Sequence, residues 1–303
     1  AFNSVLSTGK SIRDTSGDSF FSDIQEIPVS EKVTLSCFQL PCGGNVFALS
    51  SPEEVVLIDT GYGSYHSAIM KMFRSRCIDP GMIRRIIITH GDADHAGGAG
   101  HFPCPSQMTP ETLEIIQNSN RAYGSREETS VLEAVYTKLI NTFSSFSLPS
   151  QVRLFDGERA GTRGSFTVLS RITIGDITFE VLGGLGGHLV GQIYLYTPDH
   201  GLLFTADTVM NFGSFTPERR AFNTLAVNLV TSVNVNREIA AEERKALLLL
   251  AEETDRAMML RGGRCLICGG HGAVSVLEKG QLCVYGPIEH YPSLSAISDT
   301  HKK

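Results

Sequence analysis

The sequence predicts an α+β protein in which hairpin-linked strands alternate with helical segments. Short apolar runs at residues 33–40, 45–49 and 55–58 are separated by turn residues, as is typical of strands. Residues 64–76 instead carry apolar side chains at helical spacing and end at a D-P-G turn. No repeat, low-complexity tract or long flexible linker interrupts the chain. We therefore expect a single domain over residues 1–303.

The composition indicates a globular protein without a nucleic-acid or membrane partner. Of 303 residues, 42% are apolar and 19% charged, which suffices for a sizeable core. A net charge of −6 argues against a nucleic-acid surface. The longest aliphatic run, around residues 246–251, is too short to cross a bilayer. The N-terminus has no signal-peptide pattern, although a processed signal could have been removed before residue 1.

The cysteines favour a reducing compartment. Seven of them, an odd number, are scattered along the chain, which is unlike a disulfide scaffold and leads us to expect a cytoplasmic protein. Cys265 and Cys268 have the spacing of a redox or zinc pair. They lie in an apolar run that predicts a strand, where residues three apart point to opposite faces. We therefore expect them to be structural.

Several segments fall outside the predicted sheets. Residues 1–30 are polar and predict an arm or an edge strand, and two stretches, about 101–165 and 210–262, are expected to be helical insertions. The first contains a helix capped at Thr109 and a capping box at residues 125–128. Its aromatic residues Phe143 and Phe146 either pack in the core or wall a substrate pocket. The charged cluster at residues 242–245 is expected to be a solvated helix face.

The most informative stretch follows the apolar run 86–88 and reads T-H-G-D-A-D-H-A-G-G over residues 89–98. Imidazoles and carboxylates bind divalent cations, and small residues between them leave room for several to converge. Asp and Gly are also ordinary turn formers, but two His and two Asp packed this tightly favour a metal site. The four candidate ligands are His90, Asp92, Asp94 and His95.

This stretch resembles the metal motif of the metallo-β-lactamase superfamily, usually written H-x-H-x-D-H. Here it reads H-x-D-x-D-H, with Asp92 where the family normally has a second histidine. The resemblance extends over about residues 33–285. It implies an αββα sandwich of two mixed β-sheets flanked by helices, the metallo-β-lactamase fold, with helical insertions.

Further landmarks of the family follow in order. A glycine-rich loop ends at His188 after a predicted strand and resembles the third motif of the family. Glycine-rich loops also bind phosphate groups, but a phosphate loop is normally followed by a helix. Asp207 matches the bridging aspartate, and His271, in a G-H-G turn after a strand, resembles the last ligand. Asp59 either orients the metal loop, as in the family, or is an ordinary strand-end turn residue.

The resemblance implies two divalent metal ions. His90, His188 and Asp92 would hold the first, and Asp94, His95 and His271 the second. Asp207 would bridge them. The implied activity is hydrolysis of an ester, lactone, thioester, amide or phosphodiester bond in a small molecule, with a metal-bridging hydroxide as nucleophile and Asp94 as the catalytic residue that orients it.

The variant position leaves the metal and the reaction open. A carboxylate at Asp92 is harder and more anionic than imidazole, which tilts the preference from zinc toward iron or manganese. A similar carboxylate, though Glu, is a feature of flavodiiron proteins, so a non-haem di-iron oxidoreductase is an alternative. A binding member of the fold without catalysis is a third possibility.

Overall fold

A computed structural model describes residues 2–121, 130–157, 159–225 and 233–292. Its helices are α1 (Phe2–Asp14), α2 (His66–Ser75), α3 (Ala93–Ala96), α4 (Pro110–Asn118), α5 (Ser130–Phe143), α6 (Pro217–Leu225) and α7 (Arg237–Met259). Its strands are β1 (Ser22–Pro28), β2 (Thr34–Gln39), β3 (Asn45–Ser50), β4 (Val55–Ile58), β5 (Ile83–Ile87), β6 (Ser106–Met108), β7 (Val152–Leu154), β8 (Thr162–Arg163), β9 (Phe166–Ile174), β10 (Ile177–Gly183), β11 (Ile193–Thr197), β12 (Leu202–Ala206), β13 (Leu266–Gly269), β14 (Ser275–Glu278), β15 (Gln281–Val284) and β16 (Glu289–Tyr291).

The strands form two eight-stranded mixed sheets. The first has the order β16-β1-β2-β3-β4-β5-β6-β7 and is antiparallel up to β4, then parallel. The second has the order β15-β14-β13-β12-β11-β10-β9-β8, with β12 and β13 as its one parallel pair among the described strands. The predicted pair of mixed sheets is confirmed.

The sheets pack face to face, with helices on both outer faces. Alternation along each strand sends one side chain inward and the next outward. Phe47 of β3 packs at 5.2 Å between ring centroids on Phe204 of β12, which joins the sheets. On the outer faces, Phe73 of α2 covers the first sheet and Leu247 of α7 the second. This is the αββα sandwich that the resemblance implies.

Cys265 and Cys268 behave as the strand periodicity predicts. Cys265 belongs to the core under α7, whereas Cys268 lies in the core between the sheets, so the two thiols point to opposite faces. Burial raises the pKa of Cys265 to about 12, which leaves the thiol protonated and unreactive. All seven cysteines of the chain are free thiols.

The prediction for residues 1–30 was wrong in both of its forms. Residues 2–14 form helix α1, whose apolar side chains Val5 and Ile12 are buried. Two buried apolar side chains seven residues apart leave too weak a helical pattern to recognise in the sequence. Strand β1 is not an edge strand either, because β16, from the far end of the described chain, pairs with it and forms the edge.

The segment 101–165 is only partly helical. Besides α4 and α5 it contributes β6 and β7 to the first sheet and β8 to the second, strands of two or three residues that are too short for periodicity to reveal. Thr109 caps α4 as expected, its hydroxyl accepting the N–H of Thr112. The capping box at residues 125–128 lies outside the described residues.

The described parts of 210–262 contain no strand, as expected, and consist mainly of α6 and α7. Within the described part of the chain, no helix is long and apolar enough to cross a bilayer.

Candidate metal centre

All seven candidate ligands lie at one edge of the sandwich, in segments that follow strand ends; Asp94 and His95 lie in the short helix α3. The motif loop follows β5, and the other three ligands follow strands of the second sheet. His188 comes after β10, Asp207 directly after β12, and His271 after β13. Because β12 and β13 are parallel, their carboxyl ends meet at the same edge. The topology therefore brings together residues that are far apart in the sequence.

The seven side chains form adjoining groups whose ligand atoms lie within 4.8 Å of one another. One group is His90, Asp92 and His188, and another is Asp94, His95 and His271. Asp207 lies between them: its Oδ2 is 3.2 Å from Nε2 of His271 and 3.8 Å from Nε2 of His188. We call these groups the first triad and the second triad. Their membership is the same as in the two sites implied by the resemblance.

A hydrogen-bond chain from Asp59 sets the tautomer of His90. The carboxylate of Asp59 accepts the N–H of Thr89 at 2.8 Å and its hydroxyl at 2.7 Å. Thr89 donates its single hydroxyl proton to Asp59. The hydroxyl oxygen of Thr89, 2.9 Å from Nδ1 of His90, must therefore accept the Nδ1–H of His90. The lone pair of His90 is then on Nε2, which faces the centre of the site.

His95 and His188 are oriented in the same way. Nδ1 of His95 donates to Oδ2 of Asp59 at 2.9 Å, and Nδ1 of His188 donates to Oδ1 of Asn234 at 3.0 Å. In the neutral form of each imidazole, Nε2 then carries a lone pair toward the site. Of the two interpretations of Asp59, this geometry fits the residue that orients the metal loop.

Burial and neighbouring charges set the protonation states of the site. Burial, with the help of the neighbouring His95, lowers the pKa of His90 to about 3, which keeps its imidazole neutral. Burial alone would lower the pKa of His271, but the carboxylates of Asp207 and Asp94 raise it to about 9. Burial opposes ionisation of Asp207, yet His271 and His95 hold its pKa well below the usual range.

The contacts across the site fit a bound cation. Nε2 of His95 lies 3.2 Å from Oδ1 of Asp207, and Nε2 of His188 lies 3.2 Å from Oδ2 of Asp92. A lone pair that faces a carboxylate oxygen needs a proton or a metal ion between them. Among the described residues, Nε2 of His90 and of His95 and Oδ1 of Asp207 are buried without a hydrogen-bond partner. Imidazole nitrogen with carboxylate oxygen suits zinc, iron or manganese.

Glycines let the backbone approach the ligands closely. A Cβ at Gly270 would lie 2.1 Å from Oδ1 of Asp207, and one at Gly44 would lie 2.4 Å from Cε1 of His95. Both contacts are shorter than real carbon atoms allow, so a side chain at either position would displace a candidate ligand. Close packing against His95 and Asp207 therefore explains why positions 44 and 270 are glycine.

Asp92 has a partner that the sequence did not reveal. Nε of Arg121 donates to Oδ1 of Asp92 at 3.0 Å and Nη2 donates to Oδ2 at 3.2 Å, a two-point ion pair. Burial opposes ionisation of Asp92, but the guanidinium of Arg121 and the imidazole of His188 hold its pKa well below the usual range. No sequence pattern links residues 29 positions apart in separate loops.

The prediction of a solvated face at residues 242–245 was wrong for Glu243. This side chain is fully buried, and its carboxylate accepts the backbone N–H groups of Leu185 and Gly187 in the loop that carries His188. Glu242 is exposed, as expected. Asn45 acts similarly on the last ligand loop, where its amide donates to the carbonyls of Gly269 and Gly272 at 2.9 and 2.7 Å.

A cavity of about 290 Å³ opens onto the two triads. Asp92, Asp94, Asp207 and His271 form its floor. The walls are mostly apolar and come from α5, from α6 and from the loop after Asp207; they include Tyr136, Ile140, Met210, Phe222 and Leu225.

Phe143 and Phe146 do not line this cavity. Phe143 packs against Gly9 of α1, and Phe146 packs against the core of the first sheet. Packing, rather than the pocket wall, is the interpretation that the structure supports.

The chain is similar to known metallo-β-lactamase proteins in sequence and in fold. A family model described as "Metallo-beta-lactamase superfamily" matches residues 40–104, which include the motif loop. The dizinc quorum-quenching lactonase AidC, solved with a product, has a TM-score of 0.53 at 13% identity over 88% of this chain and 98% of its own. The hydrolase AbOPH has a TM-score of 0.53 at 12% identity, with 87% and 98% covered. Among curated proteins, none matches significantly.

The family match, the sandwich and the candidate metal site agree. The matched segment carries the H-x-D-x-D-H motif, and the structure assembles its His and Asp side chains with those of the later landmarks. The two structural neighbours are described as a lactonase and a hydrolase. The chain thus has the metallo-β-lactamase fold, and its residues 40–104, which carry an H-x-D-x-D-H variant of the metal motif, match the metallo-β-lactamase superfamily model.

Proposed function

We propose that the chain, as a single domain, is a binuclear metal-dependent hydrolase that cleaves a neutral ester or lactone with an apolar arm. The observation that carries this proposal is the meeting of two adjoining His/Asp triads at the floor of an apolar cavity. His90, Asp92 and His188 would hold one ion, and Asp94, His95 and His271 the other, with Asp207 between them. Two such cations would lower the pKa of a water molecule toward neutrality and polarise the scissile carbonyl.

The residues of the chain then supply orientation and proton transfer. Asp94 lies on the cavity floor, with its Oδ2 3.4 Å from Nε2 of His271, and it orients the attacking water and accepts its proton. Asp59 and Thr89 keep the imidazoles in the tautomer that presents Nε2. The apolar walls exclude bulk water from the reacting carbonyl.

The wall composition favours a neutral substrate over a phosphodiester. Among the described lining residues, Arg121 is the only lysine or arginine, and it is already engaged with Asp92. The remaining walls are apolar or carry neutral hydroxyl and amide groups such as Thr137 and Asn141. An acyl or alkyl arm gains free energy from burial there, whereas a second anionic group would have no matched cation. The lactonase neighbour makes lactones the first class to test.

The alternative, a di-iron oxidoreductase, rests on one observation, the carboxylate of Asp92 in the first triad. The two-point ion pair with Arg121 offsets the negative charge of that carboxylate and weakens the case for iron.

We also propose a cytoplasmic location, which the seven free thiols support, and no nucleic-acid partner, which the net charge of −6 supports.

A substrate panel tests the proposal. The holoprotein would be assayed against alkanoyl esters, medium-chain lactones, an aryl phosphodiester and, for the alternative, oxygen uptake with an electron donor. We expect turnover of the neutral esters or lactones and its loss in His271→Ala. Oxygen uptake without hydrolysis would favour the oxidoreductase, and phosphodiester turnover alone would refute the neutral-substrate proposal.

A further inference from the structure

Helix α6 forms part of the cavity wall, but a charged side chain holds it to the rest of the protein. Phe222, Asn223 and Leu225 of this helix line the cavity, and each of them is only partly buried. Of the nine residues of α6, Arg219 alone is fully buried, at 4% exposure. A surface helix is usually held by an apolar face, and arginine is rarely buried to this extent. The position of α6 therefore depends on the contacts of Arg219.

The guanidinium of Arg219 has an acceptor for each of its three nitrogens, and all three acceptors belong to the first sheet or its strand ends. Nε donates to the carbonyl of Leu40 at 2.8 Å, and Nη2 donates to the carbonyl of Gln39 at 2.7 Å. Nη1 donates to Oδ2 of Asp23 on β1, whose Oδ1 contacts Nδ1 of His290 on β16. Because the planar guanidinium presents its donors in a rigid fork, these contacts fix its direction as well as its distance.

Arg219 connects the cavity wall to the turn that packs on the second triad. The carbonyls that it contacts directly precede the turn at residues 41–44, where a Cβ at Gly43 would lie 2.5 Å from Cβ of Asp94. Phe222 lies three residues after Arg219, about one helical turn, so the two side chains share a face of α6. The contacts of Arg219 therefore set the distance between the α6 wall and the candidate ligands on the cavity floor.

We propose that Arg219 is a positioning residue that determines the chain length of the substrate, because it holds the α6 wall at a fixed distance from the two triads. The inference rests on the proposed function, since it takes the reacting carbonyl to lie at the triads and the apolar arm to extend along the walls. The distance from the triads to α6 then limits how many methylene groups fit. Without Arg219, α6 keeps only the partial packing of Phe222 on the core of the first sheet and moves outward more easily.

The kinetic experiment compares Arg219→Met and Arg219→Lys with the parent on a series of unbranched esters. In the parent, kcat/KM should rise with chain length and fall once the arm exceeds the cavity. In Arg219→Met the optimum should move to longer chains. Its preference for the parental optimum over an ester two methylenes longer should drop about tenfold, since each methylene contributes about fourfold. The change should come mainly from KM.

Two variants calibrate this result. Arg219→Lys keeps the positive charge but not the fork, so its chain-length profile should lie between those of the parent and Arg219→Met. Arg220→Met changes an exposed neighbour on the same helix and should keep the parental profile.

A fluorescent reporter follows the wall independently of catalysis. The chain contains no tryptophan, so Phe222→Trp places a single indole on the cavity-lining part of α6. When Arg219→Met is added, acrylamide should quench this indole about twofold or more strongly, because a loosened helix opens locally to water. Addition of Arg220→Met should leave the quenching unchanged. Titration with n-alkanols of increasing length, followed by the same emission, gives the chain-length profile of the cavity without bond cleavage.

A double variant controls for folding. Arg219→Met leaves Asp23 buried without its arginine, which destabilises the fold. Asp23→Asn combined with Arg219→Met removes both charges and should show the same shift toward longer chains. If Arg219→Met does not fold, this double variant and Arg219→Lys still test the proposal.

The outcomes separate this inference from the proposed function. Equal quenching in the reporter proteins with Arg219→Met and Arg220→Met would overturn the anchoring of α6. A parental chain-length profile in Arg219→Met, or an equal loss of activity on every ester, would overturn the role in specificity. If the parent hydrolyses no ester or lactone, the proposed function fails, and the indole quenching and the alkanol titration still decide whether Arg219 sets the position of the wall.

Discussion

The carboxylate of Glu243 accepts the backbone N–H of Gly187 at 3.1 Å, immediately before His188. Its other oxygen accepts the N–H of Leu185, so one buried side chain of α7 holds the glycine-rich loop at two points. A loop of glycines has much conformational freedom to lose, and this contact restricts it. The position of His188 therefore depends on a helix 55 residues later in the sequence.

We expect Glu243→Gln to lower metal affinity at the first triad by about 10- to 100-fold, the usual effect of losing a group that orients a ligand. Glutamine keeps the volume but replaces one acceptor oxygen with a donor. Metal content after dialysis against a weak chelator would measure the effect. Glu242→Gln, at the exposed neighbour, is the control. Equal metal content in both variants would contradict the role given to Glu243.

Asp59→Asn should weaken both triads. Asp59 accepts three hydrogen bonds, two from Thr89 and one from His95, and an amide has one acceptor oxygen fewer. His90 and His95 then lose their fixed tautomers, and metal affinity should fall about tenfold or more. Asp79→Asn, at an exposed turn acid that caps a 3-10 turn, is the control. Unchanged metal titration curves would make Asp59 an ordinary turn residue.

The ligand assignment is tested by His95→Ala, His271→Ala and Asp207→Ala. Each residue follows a different strand, and each contributes an atom within 4.8 Å of its group. All three variants should bind less metal than the parent, since each would lose a ligand atom. Unchanged stoichiometry in all three would refute the site.

The apolar arm is tested by a homologous series of esters. Each added methylene that enters the cavity should raise kcat/KM about fourfold, corresponding to about 0.8 kcal/mol of burial, until the cavity is full. Ile140→Ala, on the cavity wall, should reduce this chain-length dependence. Phe143→Ala, on the same helix but packed on α1, should lower stability and leave the dependence intact. The same slope in both variants would argue against the cavity as the arm site.

The affinity for metal should rise with pH. In the metal-free protein, Asp207 and Asp94 raise the pKa of His271 from 6.5 to about 9 against the opposing effect of burial, so a metal ion must displace a proton at neutral pH. The same raised pKa stabilises the metal-free fold fully below 6.5, and that contribution is lost as the pH rises through about 9. Competition titrations should show affinity increasing up to about pH 9, with a smaller slope in His271→Ala. A pH-independent affinity would contradict this.

The sequence predicted the candidate ligands because each lies in a short segment rich in small residues that follows a strand. His90, His188 and His271 each follow an apolar run, and the αββα order was implied by the resemblance to the metallo-β-lactamase superfamily. Local pattern was sufficient there, since ligand type, strand end and glycine occur within a few residues of each other.

The side chains that orient the candidate ligands could not be predicted from local sequence patterns. Arg121 reaches Asp92 from another loop, and Glu243 reaches the loop of His188 from a helix whose charged neighbours suggested a solvated face. Helix α1, which contributes Thr8 to the cavity, has too few apolar residues for a clear period. The roles of Arg121, Glu243 and helix α1 all depend on contacts between distant parts of the chain. Local patterns in a single sequence do not reveal such contacts.

The central claim, a hydrolase that depends on two metal ions, is tested most directly by titrating metal into chelated protein while following ester or lactone hydrolysis. The account predicts no turnover in the stripped protein, recovery on addition of zinc, and a plateau at about two ions per chain, one for each triad. Full hydrolysis by metal-free protein, or saturation with metal and no hydrolysis of any substrate in the panel, would contradict it.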